Sequence, residues 1–167
     1  MSLESFQATE KDIPVLAAIL TEANQYKLDR EDRAWGTEPF SEEEVKHYMA
    51  NSTTYVVYLG AEPVGTFALR WDDERIWGEQ PSDAGYLHRL AIKQVAHGQN
   101  LGEQIIAMAE QEVSKNNRQY LRLDCAEENK KLCAYYEKRG FIKVGRKEVI
   151  SQGIKYIAAL YEKRIEL

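Results

Sequence analysis

The feature that most constrains this chain is the hexad His97-Gly98-Gln99-Asn100-Leu101-Gly102, set between a strand-like run and a helix-like run. Upstream lies Tyr86-Leu87-His88-Arg89-Leu90-Ala91-Ile92, and downstream Glu103-Gln104-Ile105-Ile106-Ala107-Met108-Ala109. A short glycine-bearing loop that opens a helix leaves backbone N–H groups without carbonyl partners and converges them on one point. They sit at the positive end of the helix dipole, which suits them to holding phosphate. Taken alone, the hexad is also compatible with a plain glycine-containing loop before a helix. No Gly-Lys-Ser/Thr follows it, so a Walker-type nucleotide loop is excluded.

The elements around the hexad set its context. Residues 5–8 form a weakly signalled first strand, and Asp12-Ile13-Pro14 reads as a helix start with Asp12 as cap. Val15, Leu16, Ile19 and Leu20 follow at helical spacing. The charged stretch 29–40, with Trp35-Gly36, reads as a loop. Ser41-Glu42-Glu43-Glu44 is a capping box opening a second helix to about Ala50. Strands are expected at 53–59 and 64–71, joined by the turn 60–63 into a hairpin. A long loop, 72–83, carries Trp77-Gly78 and Pro81; the fourth strand, 84–92, leads to the hexad.

Leu101, Ile105, Met108, Ala109 and Val113 then mark one face of a long helix. A strand at 119–125, a helix at 129–139 ended by Gly140, and strands at 141–149 and 154–164 complete the chain. The order is that of an α/β (α+β) protein.

Bulk properties exclude several classes. The 167 residues, 44% hydrophobic and 29% charged, suit a single domain, 1–167, with its own core. A net charge of −5 argues against nucleic acid as a partner. Cys125 and Cys133 lack CxxC spacing, so no disulfide framework is expected and a reducing cytoplasm fits. His47, His88 and His97 lie far apart without an HExxH pattern, and no metal site is visible. The N-terminus has neither a basic segment nor an apolar core, and no apolar run reaches about eighteen residues. Neither a signal peptide nor a membrane span is expected.

Two stretches carry a family resemblance. The hexad resembles the Q/R-x-x-G-x-G/A signature of the GNAT superfamily, the GCN5-related N-acetyltransferases. Asn129, followed by Ala134-Tyr135-Tyr136-Glu137-Lys138-Arg139-Gly140-Phe141, resembles the family's second signature, a helix ending in Y-E-x-x-G-F. The resemblance implies a twisted, mostly antiparallel mixed sheet of six to seven strands flanked by about four helices. It also implies transfer of acetyl from acetyl-CoA to a primary amine of a small molecule or peptide, directly within a ternary complex. The alternative is a catalytically idle acyl-CoA-binding or regulatory module. Family members often dimerise, so a homodimer is an open expectation. Two departures stand out: His97 replaces the usual Arg or Gln, and Asn100 replaces the usual first glycine. Asn tolerates left-handed backbone best among the non-glycine residues, which preserves the loop's shape.

By this resemblance, His97, Gly98, Gln99, Asn100, Leu101 and Gly102 cradle the CoA pyrophosphate. The backbone of Leu90, Ala91 and Ile92 pairs with the pantetheine arm, and a backbone N–H near Leu90 stabilises the oxyanion. Asn129 caps its helix, contacts the cofactor, or does both. Tyr136 is the family's usual general acid, protonating the departing thiolate; its neighbour Tyr135 is expected to face the core.

The amine also needs a base. Strand alternation puts Tyr86, His88, Leu90 and Ile92 on one face, which makes His88 a candidate beside a core-histidine reading. Glu79, Asp83, Asp124 and Glu127 are weaker alternatives. Trp35, Trp71 and Trp77 flank loops expected near the acceptor, where an aromatic wall grips an amine by cation–π contact or simply closes a core. Arg70 and Arg89 are expected to be solvated or ion-paired.

Overall fold

The protein is described as a computed structural model covering residues 2–166. Among the described residues seven strands form one sheet in the order β1-β2-β3-β4-β5-β7-β6. They are β1 (Leu3–Gln7), β2 (Thr53–Leu59), β3 (Glu62–Arg70), β4 (Ala84–Ile92), β5 (Tyr120–Ala126), β6 (Ile142–Ser151) and β7 (Ile154–Arg164). Among the described residues five α-helices accompany them: α1 (Ile13–Leu28), α2 (Glu42–Ala50), the single turn α3 (Glu74–Trp77), α4 (Leu101–Lys115) and α5 (Lys130–Lys138). The pairs β1–β2, β2–β3, β5–β7 and β6–β7 are antiparallel. The β4–β5 pair is parallel and covers only Ala84, Gly85 and Tyr86 of β4.

Local chemistry explains most boundaries, and corrects a few. The first helix is not capped by Asp12. Thr9 is the N-cap of a 3-10 turn, Glu10–Asp12, in which the Asp12 carboxylate accepts from the Thr9 backbone N–H at 2.8 Å. Asp12 is therefore the reciprocal member of a capping box, and α1 proper starts at Ile13. Ser41 caps α2 by accepting from Glu44 N at 3.1 Å. Within 72–83, α3 adds one helical turn that a four-residue stretch cannot signal by periodicity. The β6–β7 hairpin turns through Gln152 (φ 51°) and Gly153 (φ 76°), two consecutive left-handed residues of the kind tight hairpins require.

The chain divides into two compact units. One comprises the residues up to Tyr26, Glu38–Arg70 and Leu87–Ala109; it buries Leu16, Ile19, Leu20, Val45, Val56, Val57, Phe67, Leu69, Ile105 and Ile106. The other comprises Lys27–Thr37, Trp71–Tyr86 and the residues from Glu110 onward. It buries Leu121, Val113 and Tyr161, with a smaller cluster of Ile76, Val149 and Ala158 under Trp77, Tyr156 and Leu160. Among the described residues no helix is long and apolar enough to cross a membrane.

Candidate active site

In the first unit the candidate residues begin on the second half of β4. Arg89 has φ 53°, a left-handed conformation that interrupts a strand as a bulge does. Period-two alternation stops there, so the common face expected for Tyr86, His88, Leu90 and Ile92 cannot be counted through it. His88 ends the first run, half-buried, and Leu90–Ile92 form a second with only Ala91 buried. The half-buried Arg89 guanidinium lies over the rings of Phe40 (4.9 Å) and Tyr48 (5.7 Å), a cation–π placement. Neighbouring β3 approaches closely at Gly65, where a Cβ would meet the Ala91 carbonyl oxygen at 2.8 Å. Only glycine fits.

The hexad follows a 3-10 turn, Gln94–Ala96, anchored by the Gln94 N–H donating to the Glu22 carboxylate of α1 at 2.7 Å. The His97 imidazole turns back onto its own strand: Nε2 lies 3.0 Å from the Ile92 carbonyl oxygen, and the ring meets Tyr26 edge-on at 4.9 Å. Gly98 (φ 83°) and Asn100 (φ 56°) are both left-handed, and α4 starts immediately after them. Residues 97–100 are exposed, whereas Leu101 and Gly102 are buried in the first turn of the helix. The first N–H groups of α4 have no carbonyl within the helix to accept them, which leaves them available to an anion.

In the second unit, α5 carries Asn129 and Tyr136. Asn129 is the N-cap: its Oδ1 accepts from Leu132 N at 3.1 Å. Its Nδ2 donates to Asp32 at 2.7 Å, a partner 97 positions away that sequence reasoning missed. Tyr136 is 8% exposed and lies against Tyr135, Phe141 and Tyr161. Burial, followed by the nearby Cys125 and Tyr135, pushes its phenol well above the ordinary value, so it stays protonated across the neutral range. Tyr135 does not take the core position expected of it. It is the less buried of the two, with the Arg139 guanidinium stacked 3.5 Å from its ring centre. The reason is helical phase: Tyr135 and Arg139 pair at i,i+4, while Tyr136 lies one turn beyond the buried Cys133.

The three tryptophans each face a cation of the chain itself. Lys27 lies 4.8 Å from Trp35, Arg118 5.4 Å from Trp71, and Arg122 5.3 Å from Trp77. Arg122 is buried within a ring of Trp77, Tyr86 and Tyr120, and it donates to Glu162 and to the Tyr86 hydroxyl at 2.8 Å each. At least one face of each indole is therefore occupied by structure.

The remaining candidates separate by environment. Glu127 accepts from Arg146 at 2.7 and 2.9 Å and from Lys143 at 2.8 Å, and these bonds lower its carboxyl to about 2. Held by two cations, this carboxylate is a weakened proton acceptor. Asp83 lies 3.8 Å from Arg122. Cys125 and Cys133 are buried free thiols with sulfurs 3.8 Å apart; burial, reinforced by Cys133, pushes the Cys125 thiol up and away from nucleophilic work.

The strand order and the β4–loop–α4 unit define an acetyltransferase fold of the mixed α/β class. The model of the acetyltransferase (GNAT) family matches residues 17–141, most of the chain, and the protein belongs to that family. Uncharacterized N-acetyltransferase YesJ of Bacillus subtilis (strain 168) is 31% identical over 70 residues. That match spans 41% of this chain and 39% of the curated relative's length. A GNAT-family acetyltransferase from Listeria monocytogenes superposes with a TM-score of 0.77 at 22% identity, covering 97% of this chain and 94% of that one. Ribosomal-protein-alanine N-acetyltransferase from Brucella melitensis gives 0.74 at 19%, covering 96% and 99%. At these identities the likeness shows the fold.

Proposed function

We propose that this chain is a cytoplasmic N-acetyltransferase that moves acetyl from acetyl-CoA to a primary amine of a small molecule or peptide, with its whole length acting as one catalytic domain. The observation that carries this reading is the loop between β4 and α4, in a chain whose family is built around acetyl transfer. Two left-handed residues, Gly98 and Asn100, deliver exposed backbone into the start of a helix. Backbone donors of this kind fit a pyrophosphate.

Bound acetyl-CoA would supply the activated acyl group; the rest falls to the chain. Residues 97–102 hold the pyrophosphate through backbone N–H groups. His97 braces the loop through its bond toward the Ile92 carbonyl. Leu90, Ala91 and Ile92 offer backbone to the pantetheine arm, and an N–H near Leu90 receives the charge that develops on the thioester oxygen. Tyr136, a phenol kept neutral by burial, donates a proton to the leaving sulfur. His88 takes the amine proton, directly or through water.

For Asn129, both polar ends already have protein partners, which favours the capping role over a cofactor contact. The tryptophans keep a role in acceptor binding only through ring surface that the chain's own cations leave uncovered. The test is acetyl-CoA turnover against a broad amine library, read by free-thiol release and by mass spectrometry of the acetylated amine. Turnover with any amine supports the reading. Tight CoA binding without turnover across the library replaces it with the idle binding module, and no CoA binding removes both.

A further inference from the structure

The segment between α1 and α2 has no helix or strand of its own, yet its middle is held as firmly as a core residue. Asp32 is the anchor. Its side chain is 1% exposed, and its carboxylate accepts from Lys27 Nζ at 3.1 Å, Asn129 Nδ2 at 2.7 Å and the Ala34 N–H at 3.0 Å. On one side, the same Lys27 ammonium lies 4.8 Å from the Trp35 ring. On the other, Asn129 Oδ1 accepts from Leu132 N and so caps α5. A continuous chain of contacts thus runs from the Trp35 ring through Lys27, Asp32 and Asn129 into the first turn of the helix that bears Tyr136.

The chemistry of the amide makes this chain directional. A carboxylate only accepts, so Asp32 takes the NH2 end of Asn129 and leaves the oxygen facing Leu132 N. The flipped amide would set oxygen against oxygen and leave the helix uncapped. Asp32 therefore determines which way the cap sits. A buried ion pair is a poor source of stability compared with apolar packing, because desolvating both charges offsets much of their attraction. What the contacts show is that the loop and the helix start share one carboxylate.

We propose that Asp32 is a positioning residue for acyl transfer: it locks the loop that carries Trp35 to the N-cap of α5, so that Tyr136 is presented correctly only while that loop is docked. The kinetic consequence rests on the acetyltransferase reading above, whereas the lock itself does not. Because the Asn129 amide is committed to this lock, cofactor affinity is independent of it.

The test is Asp32→Asn in the full chain, beside the exchanged pair Asp32→Asn/Asn129→Asp, which restores a carboxylate–amide bond with the partners reversed. Hydrogen exchange at the Leu132 amide and at the loop amides 32–37 should rise together in Asp32→Asn, by about tenfold or more, the scale of one lost charge-assisted bond. In turnover, kcat should fall by about tenfold while CoA affinity stays within about twofold, and the exchanged pair should recover most of the loss. If Asp32→Asn does not fold, Asn129→Asp alone keeps a capping oxygen while opposing two carboxylates, and it must show the same paired rise in exchange. Unchanged Leu132 protection overturns the lock. So does a fall in CoA affinity that tracks kcat, or a folded exchanged pair that recovers nothing. If the wild type acetylates no amine, the acetyltransferase reading fails on its own, and the exchange measurements still decide the lock.

Discussion

His97 Nε2 lies 3.0 Å from the carbonyl oxygen of Ile92, so the side chain that opens the hexad is bonded to the strand that precedes it. This bond closes the 3-10 turn, Gln94–Ala96, into a compact bend, and the Tyr26 ring supports it from α1. On the reading proposed above, His97 would act on the cofactor by holding the backbone that binds it. His97→Ala should weaken CoA binding by less than about tenfold, the size of one net hydrogen bond. Exchange at 94–100 should rise in parallel. A loss above about a hundredfold, measured by calorimetry, would assign the imidazole itself to the phosphate.

Gly102 lies in the first turn of α4 and is buried. Gly102→Glu puts a carboxylate at the helix start proposed to hold the pyrophosphate, adding bulk and like charge against it. CoA binding should fall below detection, and circular dichroism of the variant separates that loss from unfolding of a chain with a carboxylate at a buried position. Retained affinity would remove the loop from the cofactor assignment.

Tyr136→Phe keeps the ring among Tyr135, Phe141 and Tyr161 and deletes only the hydroxyl. Turnover should drop by about 10²–10⁴, the range for losing a positioned proton donor, with CoA affinity nearly unchanged. Turnover equal to wild type sinks the acid role.

Gly65→Ala is a test of the fold beneath the site. The added methyl would stand 2.8 Å from the Ala91 carbonyl oxygen, a backbone atom with little freedom to move. The substitution should destabilise the protein by about 1–3 kcal/mol in urea unfolding, the usual cost of overpacking. An unchanged midpoint would mean that β3 and β4 separate more readily than their packing suggests.

Much of this was legible in the sequence because the information is local. The β-branched run Thr53–Leu59 and the strands Ala84–Ile92 and Ile154–Arg164 lie where apolar patterning between turn residues puts them. Ser41 and Asn129 cap the helices that they immediately precede. What escaped was either too short or too distant. The turn α3 has four residues, below the reach of periodicity, and Arg89 breaks β4 without the glycine that would announce a bulge. Thr9 and Asp12 share one capping box, so each looks like a cap when taken singly.

The site's side-chain environment depends on partners far along the chain. Arg118 meets Trp71 from 47 positions away, and Arg122 meets Glu162 from 40. Which of two adjacent tyrosines is buried turns on helical phase against β5, where Cys125 faces Cys133. No residue type in the sequence encodes that phase by itself.

Asp32 makes one contribution to stability with a defined pH window. Burial alone would raise its carboxyl, but the charge of Lys27, with hydrogen bonds from Asn129 and Ala34, outweighs burial and holds it below the ordinary value. A group whose folded value is depressed binds fewer protons in the folded chain than in the unfolded one. Its stabilisation is therefore complete above the unfolded value, about 3.9, and disappears as pH falls through the lower folded value. Asp32→Asn removes the charge and leaves Lys27 facing an amide. The stability difference between wild type and Asp32→Asn should thus be constant from about pH 5 to about pH 7, at up to roughly 3–5 kcal/mol for a broken buried pair. Below about pH 4 it should shrink, as the wild-type carboxyl takes up its proton. Urea unfolding of both proteins across that range reads the difference directly. A gap that stayed constant down to about pH 2 would show that the Asp32 charge contributes nothing and that the amide's shape alone explains the loss.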